Sequence, residues 1–183
     1  PQRLEGHFAL NTLAPYDLPQ RLRKQLSAGA QDVRQSVVVN FSSSAVSGVK
    51  ELDVTTLTNP ESIGGLMGAY AKSKAALTVV SAAMKETILK DSILIQIVDP
   101  GPTKTSMTSS SDGMPWFLIL LRPLIFKSAK FQAQRLFDAV ETAVSEGESG
   151  LFISEGKRKP YPSIALNKDI QTEIKLLLDT QVQ

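Results

Sequence analysis

With 183 residues and 42% hydrophobic content, the chain carries enough apolar sequence for one domain with a substantial core and is not a disordered tail. Twenty basic residues against eighteen acidic ones leave a formal charge of +2, too slight and too dispersed for the electrostatic footprint of a nucleic-acid binder. The lack of cysteine excludes disulfides and thiolate chemistry, and a single histidine, His7, speaks against a protein-built zinc site and against a Ser-His-Asp mechanism, so His7 is expected to cap or pack locally.

From Arg3 to about Leu26, apolar positions at Leu4, Phe8, Leu10, Leu13, Leu18, Leu22 and Leu26 trace an imperfect helical stripe, with breaks expected around Pro15 and Pro19. Ser36 to Phe41 (SVVVNF) is a short β-branched run that predicts a buried strand, closed by Ser42, Ser43 and Ser44. Residues 45–62 are polar, carry Gly48, Asn59 and Pro60, and predict a surface excursion. Ala69 to Lys90 contains no Gly or Pro, and Leu77, Val80, Met84 and Ile88 recur at helical spacing. Ser92 to Val98 (SILIQIV) reads as a second strand, stopped by Asp99-Pro100-Gly101-Pro102. Strand, helix and strand in this order imply a parallel crossover. Beyond an irregular Ser- and Thr-rich stretch lie the apolar run Met114 to Phe126 and a helix expected to present Ala133, Phe137, Val140 and Val144 on one face. Gly150 to Ser154 predicts a last short strand, and Ile164 to Thr180 terminal helix. Nothing repeats internally, so 1–183 is read as one domain.

Tyr70 and Lys74 stand four apart, one turn from each other on a single helix face. A free phenol ionises near pH 10, so acid-base work at neutral pH needs a nearby cation, and an ammonium one helical turn away can supply it. Upstream, the strand SVVVNF opens into Ser42, Ser43 and Ser44; downstream, the next strand ends in DPGPTKT. Parallel strands put both carboxyl ends on one edge, where open α/β sheets bind ligands, so three segments converge on one crevice.

Four motifs in this order, FALNTLAPY, VVVNFSSSA, YAKSK and DPGPTKT, resemble those of the short-chain dehydrogenase/reductase family over nearly the whole chain. The resemblance implies an α/β fold, a partial Rossmann-like doubly wound parallel sheet truncated at the N-terminus. It implies an NAD- or NADP-dependent oxidoreductase that interconverts an alcohol and a carbonyl. Tyr70 would exchange the proton and Lys74 would favour the phenolate and hold the cofactor ribose. Ser43, with Ser44 as the open alternative, would orient the carbonyl, and Asn11 would support a proton-relay water. Pro100, Gly101, Thr103 and Thr105 match the segment that meets the nicotinamide carboxamide and the pyrophosphate, and with Tyr70 and Lys74 they make up the implied cofactor-binding set. Ser43 and Tyr70 are 27 residues apart, about twice the family's usual gap, with the surplus in the polar stretch 45–62.

The family's Gly-x-x-x-Gly-x-Gly turn has no counterpart before Asn11, and Gly64, Gly65 and Gly68 lie too late to replace it. The chain therefore reads as the catalytic portion of a longer enzyme, with an inactive binding or scaffolding protein as the alternative. Residues 106–130 fall in the family's substrate lid, where Trp116, Phe117 and Leu118 would suit an apolar alcohol or carbonyl; Met114 to Phe126 is too short to span a bilayer, so lid is preferred over membrane contact. The expected protein is cytoplasmic, binds a small-molecule substrate, takes no metal and has the family's tendency to form a homo-oligomer.

Overall fold

The computed structural model describes residues 4–30, 35–60, 68–104 and 126–182. Helical residues Gly6–Phe8 run through a π-helical turn, Ala9–Leu13, into Ala14–Arg21, together α1; Arg23–Gly29 is α2. Strand β1 is Ser36–Phe41, followed by 3-10 turns at Ser44–Gly48 and Val54–Thr56. Then come α3 (Ala69–Leu89), β2 (Ile93–Asp99), β3 (Thr103–Lys104), β4 (Lys127–Ser128) and α4 (Ala129–Ser145). Strands β5 (Leu151–Ser154) and β6 (Lys157–Lys159), a 3-10 turn at Ser163–Leu166 and α5 (Lys168–Gln181) complete the order.

The main sheet runs β1-β2-β5-β6. β1 lies parallel to β2, with Ser36 opposite Ile93 and Phe41 opposite Val98, and β2 parallel to β5, with Asp99 opposite Ser154. β6 closes a hairpin on β5. β2 is central and buried along its whole length, as its unbroken apolar run requires. Its one amide, Gln96, is satisfied at both ends, donating to Glu148 O at 2.6 Å and accepting from Leu151 N at 3.1 Å. Helices cover both faces. On one side α3 packs on β2 and is itself flanked by α1 and α5, with Ala75, Ala76, Val79, Ile95, Ile174 and Leu178 in the main core. On the other side α4 meets the sheet through Leu136 against Val98 and Ile153. The doubly wound α/β architecture is as expected, and among the described residues no helix is long and apolar enough to cross a membrane.

Four expectations need correction. The first helix does not break at its prolines: Pro15 opens the segment Ala14–Arg21, Pro19 lies inside it, and the break comes at Leu22. A proline ring crowds the carbonyl four residues back and offers no N–H, and the wider π-helical turn immediately ahead of Pro15, closed by Ala14 N donating to Ala9 O, makes room for it. Ser92 is not in a strand; its φ of 60° belongs to the left-handed turn that ends α3. The polar stretch after β1 is no surface excursion, because Val46, Leu52, Val54 and Leu57 are all buried in the main core. In α4 the buried stripe is turned by one residue, to Gln132, Leu136 and Ala143, which leaves Phe137 63% exposed.

Candidate active site

The site is built where β1 and β2 end. Ser42 turns inward: its N–H donates to Val98 O at 2.7 Å, and its hydroxyl lies 2.7 Å from Thr78 Oγ1. Thr78 gives its single proton to Lys74 O at 2.8 Å, so Ser42 is the donor in the pair. This chain of bonds fixes the end of β1 against both β2 and the turn of α3 that carries Lys74. Ser43 follows in extended conformation, half-buried, its Oγ accepting Ala45 N at 3.3 Å and so capping the next 3-10 turn; Ser44 is exposed.

Tyr70 is the second residue of α3, half-buried, and Lys74 stands one turn later. Lys74 Nζ donates to Phe41 O at 2.8 Å, which brings the ammonium to the same strand end as Ser43. Asn11, in the π-helical turn, donates through Nδ2 to Ser73 Oγ at 3.1 Å. Its amide is therefore attached to the helix between Tyr70 and Lys74. His7, expected to pack locally, packs against Tyr70 itself, with ring centroids 5.9 Å apart and planes at 79°.

The loop after β2 is held from several sides. Asp99, only 4% exposed, accepts Gly101 N at 2.9 Å on one carboxylate oxygen and the Ser154 hydroxyl at 3.0 Å on the other. Pro100 O accepts the buried amide of Gln132 at 2.5 Å. Gly101 has φ +69°, and a Cβ there would lie 2.5 Å from Glu155 Cγ. Left-handed backbone costs a residue with a Cβ about 1–2 kcal/mol, so Gly101→Ala is expected to lose that much stability, read as a lower denaturant midpoint with unchanged m-value. Thr103 Oγ1 donates to Gly101 O at 3.0 Å, and the Thr103–Lys104 strand pairs with Lys127–Ser128. Thr105 and the stretch bearing Trp116, Phe117 and Leu118 lie outside the described residues; of the expected lid, 127–130 form β4 and the start of α4.

Sequence reasoning missed Ser42, Thr78, Asp99, Gln132 and Ser73, whose roles rest on partners far away in sequence. The one local signal was polarity on buried faces, as in Ser73, Thr78 and Ser81 of α3. The donor set suits the ribose and nicotinamide end of a dinucleotide: an ammonium has three protons, the bond to Phe41 uses one, and a vicinal diol can take others.

Burial lowers the Lys74 pKa from its ordinary 10.5. In the window just below 10.5 the unfolded chain then binds more protons than the folded one, so this group makes stability rise with pH there. Lys74→Met removes the contribution, and the stability of the variant minus that of the parent is expected to fall as pH rises through the window. A difference flat in pH, measured by denaturant titration, contradicts the burial of a charged Lys74.

No family model matches the chain. It is 26% identical over 179 residues to the polyprenol dehydrogenase of Danio rerio, covering 93% of this chain and 53% of that protein. Its fold is similar to that of the NADPH-bound carbonyl reductase from chicken fatty liver, with a TM-score of 0.62 and 21% identity over 84% of this chain and 55% of that one. It is also similar to the 3-alpha-hydroxysteroid dehydrogenase from Pseudomonas sp. B-0831 complexed with NADH, with a TM-score of 0.60 and 23% identity over 81% of this chain and 64% of that one. The chain thus spans about half the length of the curated relative it matches. The ordered motifs thus resemble those of the short-chain dehydrogenase/reductase family, the curated relative is a dehydrogenase at 26% identity, and the two solved structures share the fold.

Proposed function

We propose that this chain carries the proton-transfer and substrate-orienting half of an NAD(P)-dependent oxidoreductase that interconverts an alcohol and a carbonyl. The observation that supports the reading is the Lys74 contact to Phe41 O, which ties the helix turn after Tyr70 to the strand end that Ser42 and Ser43 follow. The names of the curated relative and of the two structural neighbours, a dehydrogenase, a reductase and a dehydrogenase, support the reaction class. Two of those names include NADPH or NADH, which supports a nicotinamide dinucleotide as the cofactor.

When bound, that cofactor supplies or takes the hydride. The residues of this chain do the rest. Tyr70 gives its phenolic proton to the carbonyl oxygen as reduction proceeds and takes it back in oxidation. Lys74 adds a fixed positive charge that favours the phenolate and offers donors to the ribose diol. The Ser43 hydroxyl orients the substrate oxygen, with Ser42 and Thr78 holding its backbone in place. The loop Pro100, Gly101 and Thr103, rigid through Asp99 and Gln132, presents backbone groups to the nicotinamide carboxamide. Asn11, whose amide also holds Ser73 on the Tyr70 helix, supports a proton-relay water. The apolar sequence Met114 to Phe126 supports an apolar substrate.

The experiment is a panel of long-chain and small polar alcohols and carbonyls, assayed with each nicotinamide cofactor through its absorbance, in the full-length protein and in its Ser43→Ala variant. Turnover of the apolar members, lowered about 10²-fold or more by Ser43→Ala, is the expected result. Turnover confined to the small polar members overturns the substrate class. Parent and variant turning over alike overturns the role given to Ser43.

A further inference from the structure

We infer that His7 and Ser73 are positioning residues that bracket Tyr70, His7 against its ring and Ser73 against its backbone, with both tied to α1. The inference deepens the proposed function, since it concerns the residue assigned there to proton transfer.

The need for a bracket follows from where Tyr70 sits. It is the second residue of α3, in the first turn, where backbone N–H groups lack intrahelical partners. Three of the other four described helices are fastened by side chains at this point: Glu5 caps the start of α1, Ser128 caps α4 and Asn167 caps α5, while α2 follows α1 with no side-chain cap. Helix α3 is preceded by Gly68, and among the described residues no side chain caps it. A side chain emerging from an uncapped first turn inherits the fraying of that turn. A proton donor, however, must be held to within a fraction of an ångström of the acceptor.

The contacts missing at the cap are made from the side. Ser73 is 1% exposed and lies between Tyr70 and Lys74. Its hydroxyl donates to Tyr70 O at 2.8 Å and accepts from Asn11 Nδ2 at 3.1 Å. Its carbonyl accepts the Thr12 hydroxyl at 2.8 Å, and Thr12 is fully buried. Two consecutive residues of α1 thus grip one residue of α3. They do so from the π-helical turn, which rotates less per residue than an α-helix and brings neighbours closer to the same face. One turn earlier, the His7 ring stands edge-on to the Tyr70 ring, an arrangement that fixes ring orientation.

The α1 side of the bracket is firm. Glu5 receives both His7 N and Phe8 N on its carboxylate, and its own N–H donates to Thr58 O at 2.8 Å. Phe8 and Tyr16 are buried, and the Tyr16 hydroxyl donates to Asp179 on α5.

The test uses the 183-residue chain with fluorotyrosine at Tyr16, Tyr70 and Tyr161 and reads its fluorine resonances, with Tyr70→Phe assigning the signal of interest. Ser73→Ala and His7→Ala are each expected to move or broaden the Tyr70 signal by more than its linewidth while the Tyr16 and Tyr161 signals stay in place. His7→Phe, which restores an edge-on ring, is expected to narrow the signal again. His7 is exposed, so its variants test the bracket even if Ser73→Ala does not fold. A Tyr70 signal indifferent to the His7 variants overturns the proposal, and so does a response shared equally by all three tyrosines. The readout needs no turnover: a chain with an intact bracket and no redox activity sinks the oxidoreductase reading alone, whereas an active chain whose Tyr70 signal ignores these variants sinks the bracket alone.

Discussion

Tyr70→Phe is expected to lower kcat about 10²- to 10⁴-fold, the range spanned by a positioned general acid or base, with KM nearly unchanged. The substitution removes one oxygen and keeps the ring, so the edge-on contact with His7 and the packing of the first turn of α3 survive. A fall in kcat and kcat/KM together, without a rise in KM, is the signature of an interaction made in the transition state only. Lost thermal stability in the same variant, or a rise in KM with kcat preserved, contradicts the role given to the phenol.

The largest effect on stability is expected from Ile95→Ala. Ile95 is in the middle of β2, inaccessible to solvent, and belongs to the main core with Ala75, Ala76 and Val79 of α3. A rigid sheet between two helical layers cannot collapse into the space left behind. The loss is therefore about 2–5 kcal/mol, against a total of about 5–15 kcal/mol for a domain. Phe137→Ser is the matched control: Phe137 is 63% exposed on α4, and its replacement is expected to stay within about 0.5 kcal/mol. Denaturant unfolding of the two variants side by side checks the burial pattern, and equal losses contradict it.

These two positions also show what was legible in the sequence. SVVVNF, SILIQIV and GLFIS are short apolar runs with turn signals at their ends and supply β1, β2 and β5; β2 is buried along its whole length, whereas β1, expected to be buried, is an edge strand that is only half-buried, with Phe41 exposed. α3 was equally plain, since it has no Gly or Pro and is apolar on nearly all sides. Elsewhere burial left no periodic trace. Val46, Leu52, Val54 and Leu57 reach the core from irregular turns, spaced without a period and separated by polar residues. In α4 the buried stripe contains Gln132, a residue that reads as solvent-facing until its bond to Pro100 O is seen.

The candidate site divides in the same way. Tyr70, Lys74 and Ser43 were visible because their spacing and the strand ends around them form a local pattern. Ser42, Thr78, Asp99 and Ser73 were not, because each is defined by a partner 36, 36, 55 or 62 residues away. The Asn11 bond to Ser73 was hidden for that reason: a helix position says which way a residue faces, not which hydroxyl from another helix meets it.

The central claim is that the carboxyl ends of β1 and β2, with the Tyr70 and Lys74 turn, form a nicotinamide site. Its most direct test is a titration of the 183-residue chain with NADH and NADPH, followed through nicotinamide fluorescence, beside Lys74→Met. Saturable binding by the parent, weakened at least tenfold in Lys74→Met, is the predicted result. Binding that is absent in the parent, or identical in the two chains, contradicts the claim.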